Sequence, residues 1–194
     1  MRNPLLDRSS PAELADLGQV LDKQVELQTF ARLAEIVTGD LSSLTEEEIP
    51  QQWRQAPVAI RLAFGWADGG RRFPAVEGRV VGRVPAVCQR CLRPLELSLD
   101  VDLKLLLAGA GEVAHATDDY ELWEIDDATL RPLDILEEAL IMAMPLSALH
   151  GPGESCATPA ETVPTESADR VRPFADLRSR ISGDEVGTEP DESG

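Results

Sequence analysis

The chain is 194 residues long and carries 35 Asp and Glu residues against 18 Lys and Arg residues, a formal net charge of −17. A chain this acidic repels phosphate backbones and anionic membrane surfaces as a whole, which argues against charge-driven, sequence-independent nucleic-acid binding. Its length predicts one domain with tails, or two small domains.

The cellular location follows from what the sequence lacks. No apolar run approaches the roughly 20 residues needed to span a bilayer, and the N-terminus lacks the continuous apolar core of a secretory signal. Three cysteines, an odd number, argue against a disulfide framework. We therefore expect a cytoplasmic protein without a membrane partner, in which closely spaced cysteines indicate metal or redox chemistry.

The N-terminal part has mixed character. Residues 1–22 are predicted to be an N-terminal arm, with one or two helical turns behind Ser10 as a cap. Residues 24–30 alternate polar and apolar side chains, which predicts a half-buried strand. Residues 31–37 fit a short helix, and Thr45, followed by three glutamates, resembles a capping box that starts a helical turn.

The centre of the chain predicts long strands. Residues 57–66 and 73–87 alternate around an Asp-Gly-Gly turn signal, which is typical of a β-hairpin. Residues 95–105 keep a strict period of two, with apolar side chains on one face and charged ones on the other. The C-x-x-C sequence therefore lies at the turn between two strands.

The remaining pattern predicts an α+β domain spanning residues 23–156. A short strand is predicted at 120–125, and Pro132 opens a helix over about 133–144. We expect an antiparallel twisted β-meander, or a partly closed barrel, with one main covering helix. Residues 157–194 are predicted to be a disordered acidic tail, with a short helical motif near 172–181.

Three cysteines and a histidine form the candidate site. Cys88 and Cys91 present two thiolates from one tight turn, and His150 and Cys156 supply the two further N or S ligands that tetrahedral zinc requires. With four protein ligands, such a zinc ion is structural and has no open position for a catalytic water.

Other interpretations of these residues remain open. Cys88 and Cys91 could be small buried apolar residues, with His150 on the surface. A thioredoxin-like redox motif requires its first cysteine at a helix N-terminus, whereas strands flank this one on both sides. A zinc-dependent or thiol-redox enzyme using the C-x-x-C is the alternative function.

Three stretches together resemble a known family. They are Val-Cys-Gln-Arg-Cys-Leu-Arg-Pro-Leu, Tyr-Glu-Leu-Trp-Glu-Ile-Asp, and the helical Leu-Asp-Ile-Leu-Glu-Glu-Ala-Leu-Ile-Met-Ala-Met-Pro-Leu. This combination is similar to the YceD family, the large ribosomal RNA subunit accumulation proteins, over roughly residues 20–180. The match is direct at Cys88 and Cys91. Many relatives place two or three cysteines in the later loop, where this chain has His150 and Cys156 at a longer spacing.

The resemblance implies a non-enzymatic role in accumulation of large-subunit ribosomal RNA and in ribosome assembly. The expected partner is a ribosomal protein or a pre-large-subunit particle. The carboxylates between residues 118 and 138 fit a solvated acidic surface, or a binding face for a basic ribosomal protein. Direct RNA contact is at most local, and four arginines could provide it or could simply balance nearby carboxylates: Arg79, Arg83, Arg90 and Arg93.

Overall fold

The computed structural model describes residues 3–67, 73–109, 119–125, 127–151 and 156. The chain divides into two units, Met1–Thr158 and Pro159–Gly194, and the described residues all belong to the first. The predicted tail motif at 172–181 and the Asp-Gly-Gly turn lie outside the described residues. None of the described helices is both long and apolar enough to cross a bilayer.

The described residues form three helices and five strands. In chain order they are α1 (Pro11–Asp16), β1 (Val20–Glu26), α2 (Ala31–Leu41), β2 (Pro57–Trp66), β3 (Pro74–Val87), β4 (Pro94–Gly109), β5 (Glu121–Ile125) and α3 (Pro132–Ala143). Short 3₁₀ turns at Leu27–Thr29 and Trp53–Gln55 precede α2 and β2.

The strands form one open sheet in the order β1-β2-β3-β4-β5. The first four strands make an antiparallel meander, whereas β5 runs parallel to β4. The α+β prediction with an antiparallel meander is therefore confirmed, and the described sheet does not close into a barrel. The alternation in β2, β3 and β4 placed these strands correctly, because each buries one face and exposes the other.

Two local predictions at the N-terminal end were wrong in detail. The first strand was expected at 24–30, but β1 begins at Val20 and ends at Glu26. Leu27 and Phe30 are fully buried, and they leave the sheet to pack under the start of α2. Ser10 precedes α1, but its side chain makes no capping hydrogen bond, and the helix begins with proline instead.

The core lies between the inner face of the sheet and two helices, the predicted main helix α3 and the shorter α2. Helix α2 buries Leu33, Val37 and Leu41, and α3 buries Leu136 and Leu140. The N-terminal segment also contributes fully or largely buried side chains to this core: Leu5, Leu14 and Leu21. The domain boundaries at residues 22 and 156 remain proposals.

A carboxylate from α3 caps the N-terminus of α2. Glu137 is only 6% exposed, and its Oε1 accepts the N–H of Arg32 at 2.7 Å and the N–H of Leu33 at 3.3 Å. These two N–H groups have no partner within the helix, and the N-cap residue Phe30 offers no side-chain acceptor. The neighbouring carboxylates in the sequence suggested that Glu137 belongs to a solvated acidic surface. The structure shows instead that it is buried as a helix cap. It fixes α3 against α2.

We expect Glu137→Ala to destabilise the fold by about 2–3 kcal/mol, because two helix N–H groups lose a charged acceptor and become buried without one. Glu138→Ala is the matched control. Its carboxylate forms an exposed ion pair with Arg32 at 2.6 Å, and such pairs contribute about 0–1 kcal/mol. Chemical denaturation of both variants measures the difference, and equal losses would contradict the capping role.

Candidate metal centre

The turn between β3 and β4 closes tightly around Cys88 and Cys91. The N–H of Cys88 donates to the carbonyl of Arg93 at 2.9 Å, and the N–H of Leu92 donates to the carbonyl of Cys88 at 2.8 Å. Leu92 takes a left-handed backbone conformation with φ of 57°, which an L-residue adopts only at a cost in strain. The two thiols therefore lie on the same side of one compact turn.

Two further hydrogen bonds hold this turn against the rest of the fold. Asp40 at the end of α2 accepts the N–H of Val87 at 2.7 Å, directly before the turn. The N–H of Gln89 donates to the carbonyl of Ala148 at 2.9 Å, in the loop that follows α3. The second bond brings His150 beside the turn, although 59 residues separate it from Cys91.

The structure brings all four predicted ligands together. The ligand atoms of Cys88, Cys91, His150 and Cys156 lie within 4.8 Å of one another. The sulfurs of Cys88 and Cys156 are 3.8 Å apart, and the sulfur of Cys91 is 3.4 Å from Nδ1 of His150. Zn–S bonds of about 2.3 Å and Zn–N bonds of about 2.0 Å, at tetrahedral angles, separate ligand atoms by roughly 3.5–3.8 Å. The donor set suits a zinc ion and these two pairs have the spacing of a tetrahedral site, although the atoms of the whole group lie only within 4.8 Å of one another. A disulfide instead needs sulfurs about 2.05 Å apart.

The two cysteines that face each other differ in their pKa. Burial alone would raise the pKa of Cys88, but its sulfur accepts backbone N–H groups from Cys91, His150 and Arg90, and together these lower the pKa to about 5. Burial, hydrogen bonds that the Cys156 thiol donates to the sulfurs of Cys91 and Cys88, and the negative charges of those sulfurs raise the pKa of Cys156 to about 11. Cys88 thus loses its proton before Cys156 does. A cation between the sulfurs would favour the thiolate form of Cys156 against the burial and the negative charges that raise its pKa.

Accessibility favours a ligand over a reactive thiol at Cys88. Its side chain is 0% exposed, while Cys91, His150 and Cys156 are half-buried. The sequence predicted the four ligands from residue type alone. It gave no sign of the backbone N–H groups that stabilise the Cys88 thiolate, because these depend on the conformation of the turn and of the His150 loop.

The four arginines separate into two pairs. Arg79 Nε donates a hydrogen bond to Asp100 Oδ1 at 2.6 Å, and this bond raises the pKa of the arginine. A terminal guanidinium nitrogen of Arg83 lies 3.4 Å from a carboxylate oxygen of Glu96. Those two guanidinium groups balance carboxylates on the sheet. Arg90 and Arg93 lie exposed on the cysteine turn and form no ion pair with a described residue.

Comparison with known proteins gives one family. The model of the family described as "Large ribosomal RNA subunit accumulation protein YceD" matches residues 76–179, more than half of the chain. This range contains most of β3, all of β4, β5 and α3, and all four cluster residues. Comparison with curated proteins and with solved structures gave no significant match.

Proposed function

The chain belongs to the YceD family of large ribosomal RNA subunit accumulation proteins, and we propose that it supports ribosome assembly as a non-enzymatic binding factor. Family membership links it to accumulation of large-subunit ribosomal RNA, and the match over residues 76–179 is the observation that carries this proposal. The protein would act in the cytoplasm, where ribosomes assemble.

The proposed partner is a basic ribosomal protein, alone or within a pre-large-subunit particle. The net charge of −17 supports this choice, because it attracts basic proteins and repels free RNA. On the described sheet, Arg79 and Arg83 are already paired with carboxylates. Any direct contact with RNA would therefore be confined to Arg90 and Arg93.

The cysteine-histidine cluster, in this proposal, holds one structural zinc ion. Four protein ligands fill a tetrahedral zinc site, so no position remains for a substrate or a nucleophilic water. The ion would join the β3–β4 turn to the loop after α3 and keep this end of the domain in one conformation.

A thiol-redox activity is the second candidate, and the lowered pKa of Cys88 favours it. A thiol titration with zinc analysis separates the two. Protected thiols with one zinc per chain support the structural role. A reactive Cys88 in metal-free protein, together with substrate turnover that Cys88→Ser abolishes, would support the enzyme and contradict the binding factor.

Depletion of the protein in its own cells tests the main proposal. We expect large-subunit ribosomal RNA to fall relative to small-subunit RNA, and the tagged protein to co-sediment with pre-large-subunit particles. After RNase treatment, affinity capture should still retain a ribosomal protein, since the proposed contact is between proteins. An unchanged RNA ratio on depletion would overturn the assignment.

A further inference from the structure

The two halves of β4 differ in how they are paired. The strand is 16 residues long and pairs with β3 along Pro94–Leu106. On its other edge, β5 pairs only with Leu105–Gly109. Among the described residues, none pairs with the outer edge of Pro94–Lys104, so its outward N–H and C=O groups have no backbone partner there. An unpaired edge of this length is a template for another strand.

Burial along β4 shows the same division. Where β5 is present, four consecutive residues, Leu105 to Ala108, are buried. Along the unpaired half the inner side is covered unevenly: Leu99 and Leu103 are buried, whereas Leu95, Leu97 and Val101 are only partly buried. A strand added at this edge would cover those apolar side chains with its own.

The solvent-facing side of this edge carries three carboxylates and one lysine, Lys104, which lies opposite Glu77 of β3. Glu96, Asp100 and Asp102 have side chains that are 61%, 46% and 83% exposed. Their arginine partners, Arg79 and Arg83, come from β3 on one side only. The side toward the open edge supplies no described cation to them. The opposite edge of the sheet differs in length, because β1 has only seven residues.

We propose that the outer edge of Pro94–Lys104 binds an extended basic segment of a partner protein as an added β-strand. The inference rests on the proposed function and specifies how a basic ribosomal protein would be bound. Main-chain hydrogen bonds would supply affinity. Lys or Arg at alternate positions would face Glu96, Asp100 and Asp102, and the apolar residues between them would pack beside Leu97 and Val101.

The chemistry of the edge favours protein over RNA. The edge offers backbone N–H donors and C=O acceptors in alternation, at the spacing of a β-strand. Another extended backbone can pair with every one of these groups. The carboxylates of the edge attract lysine and arginine and repel phosphate. A partner segment that alternates basic and apolar residues would place its basic side chains beside the carboxylates of β4 and its apolar side chains beside the inner face of the sheet.

A synthetic peptide, Lys-Val-Lys-Ile-Lys-Val-Lys with blocked ends, tests the proposal on the full-length protein. We expect binding by fluorescence anisotropy, with hydrogen-exchange protection within Pro94–Lys104 and none in β1. The triple variant Glu96→Gln, Asp100→Asn, Asp102→Asn should weaken binding about tenfold, from three lost cross-strand charge pairs. The matched control Asp22→Asn, Glu26→Gln on β1 should leave it unchanged.

Backbone methylation of the peptide separates strand addition from charge attraction alone. Two versions carry N-methyl groups on alternate amides, and they keep every charge. The version whose methyl groups face β4 should lose binding. Equal binding by both versions and the parent, or protection elsewhere in the sheet, would overturn the proposal. Because the peptide assay needs no ribosome, it can fail while co-sedimentation with particles persists, so the two proposals are tested separately.

Discussion

Replacement of Cys88 with Ser is expected to abolish stoichiometric zinc binding and to lower the melting temperature. Cys88 has the lowered pKa and accepts three backbone N–H groups, so it is the thiolate on which the cluster depends, and a serine hydroxyl does not ionise to replace it. If the ion contributes about 3 kcal/mol, the melting temperature should fall by roughly 6–12 °C for a domain of this size. Metal analysis and thermal unfolding measure the two effects.

The control for this experiment is Gln89→Ser, which introduces the same residue at an exposed, non-ligating position of the same turn. It should keep its zinc and its melting temperature. A chelator should destabilise the wild type and Gln89→Ser but not Cys88→Ser. Wild-type protein that remains metal-free in zinc, with a melting temperature insensitive to chelator, would refute the zinc site.

Replacement of Gly78 with Ala should be the most damaging single-methyl change in the sheet. Gly78 lies in β3 opposite Leu62 of β2. An added Cβ would lie 2.3 Å from the carbonyl oxygen of Arg61 and 2.6 Å from Cδ2 of Leu62. Because one of these atoms is backbone, the strands must separate, and we expect a loss of about 3 kcal/mol or more. Denaturant unfolding, or insolubility on expression, reports the effect.

Two other strand glycines provide graded controls. At Gly82 an added Cβ meets only the side chain of Val58, at 3.2 Å, and at Gly65 nothing lies within 4 Å. We expect Gly82→Ala to have a small effect and Gly65→Ala to be neutral or slightly stabilising, because alanine restricts the unfolded chain more than glycine does. Equal losses at all three positions would show that the close approach at Gly78 is not responsible.

The sequence was most informative where one physical pattern dominates. In β2 and over most of β3 and β4 the side chains alternate, because one face packs on the core and the other meets water, so these strands could be placed within a few residues. The bounds of β1 could not be placed in this way. Leu27 continues its apolar alternation past the end of the strand, but it is buried by packing under α2 and not by pairing in the sheet.

Features that join distant segments were not visible in the sequence. Glu137 looks like one more exposed acid on α3, and only the position of α2, over 100 residues earlier, makes it a cap. The parallel pairing of β5 and the half-paired edge of β4 likewise depend on where the chain returns. That Cys88, Cys91, His150 and Cys156 could converge was predictable, because Cys and His in this combination have few other roles. Their distances and differing pKa values were not.

The long separation between the two halves of the metal cluster has a consequence for how the protein is made. During synthesis the first two thiols leave the ribosome 59 residues before His150, and two ligands hold zinc weakly. The sheet can form in that interval, since β3 and β4 need only each other and β2. In the proposed zinc-bound protein, the complete site can therefore assemble only after α3 and the segment to Cys156 have been made.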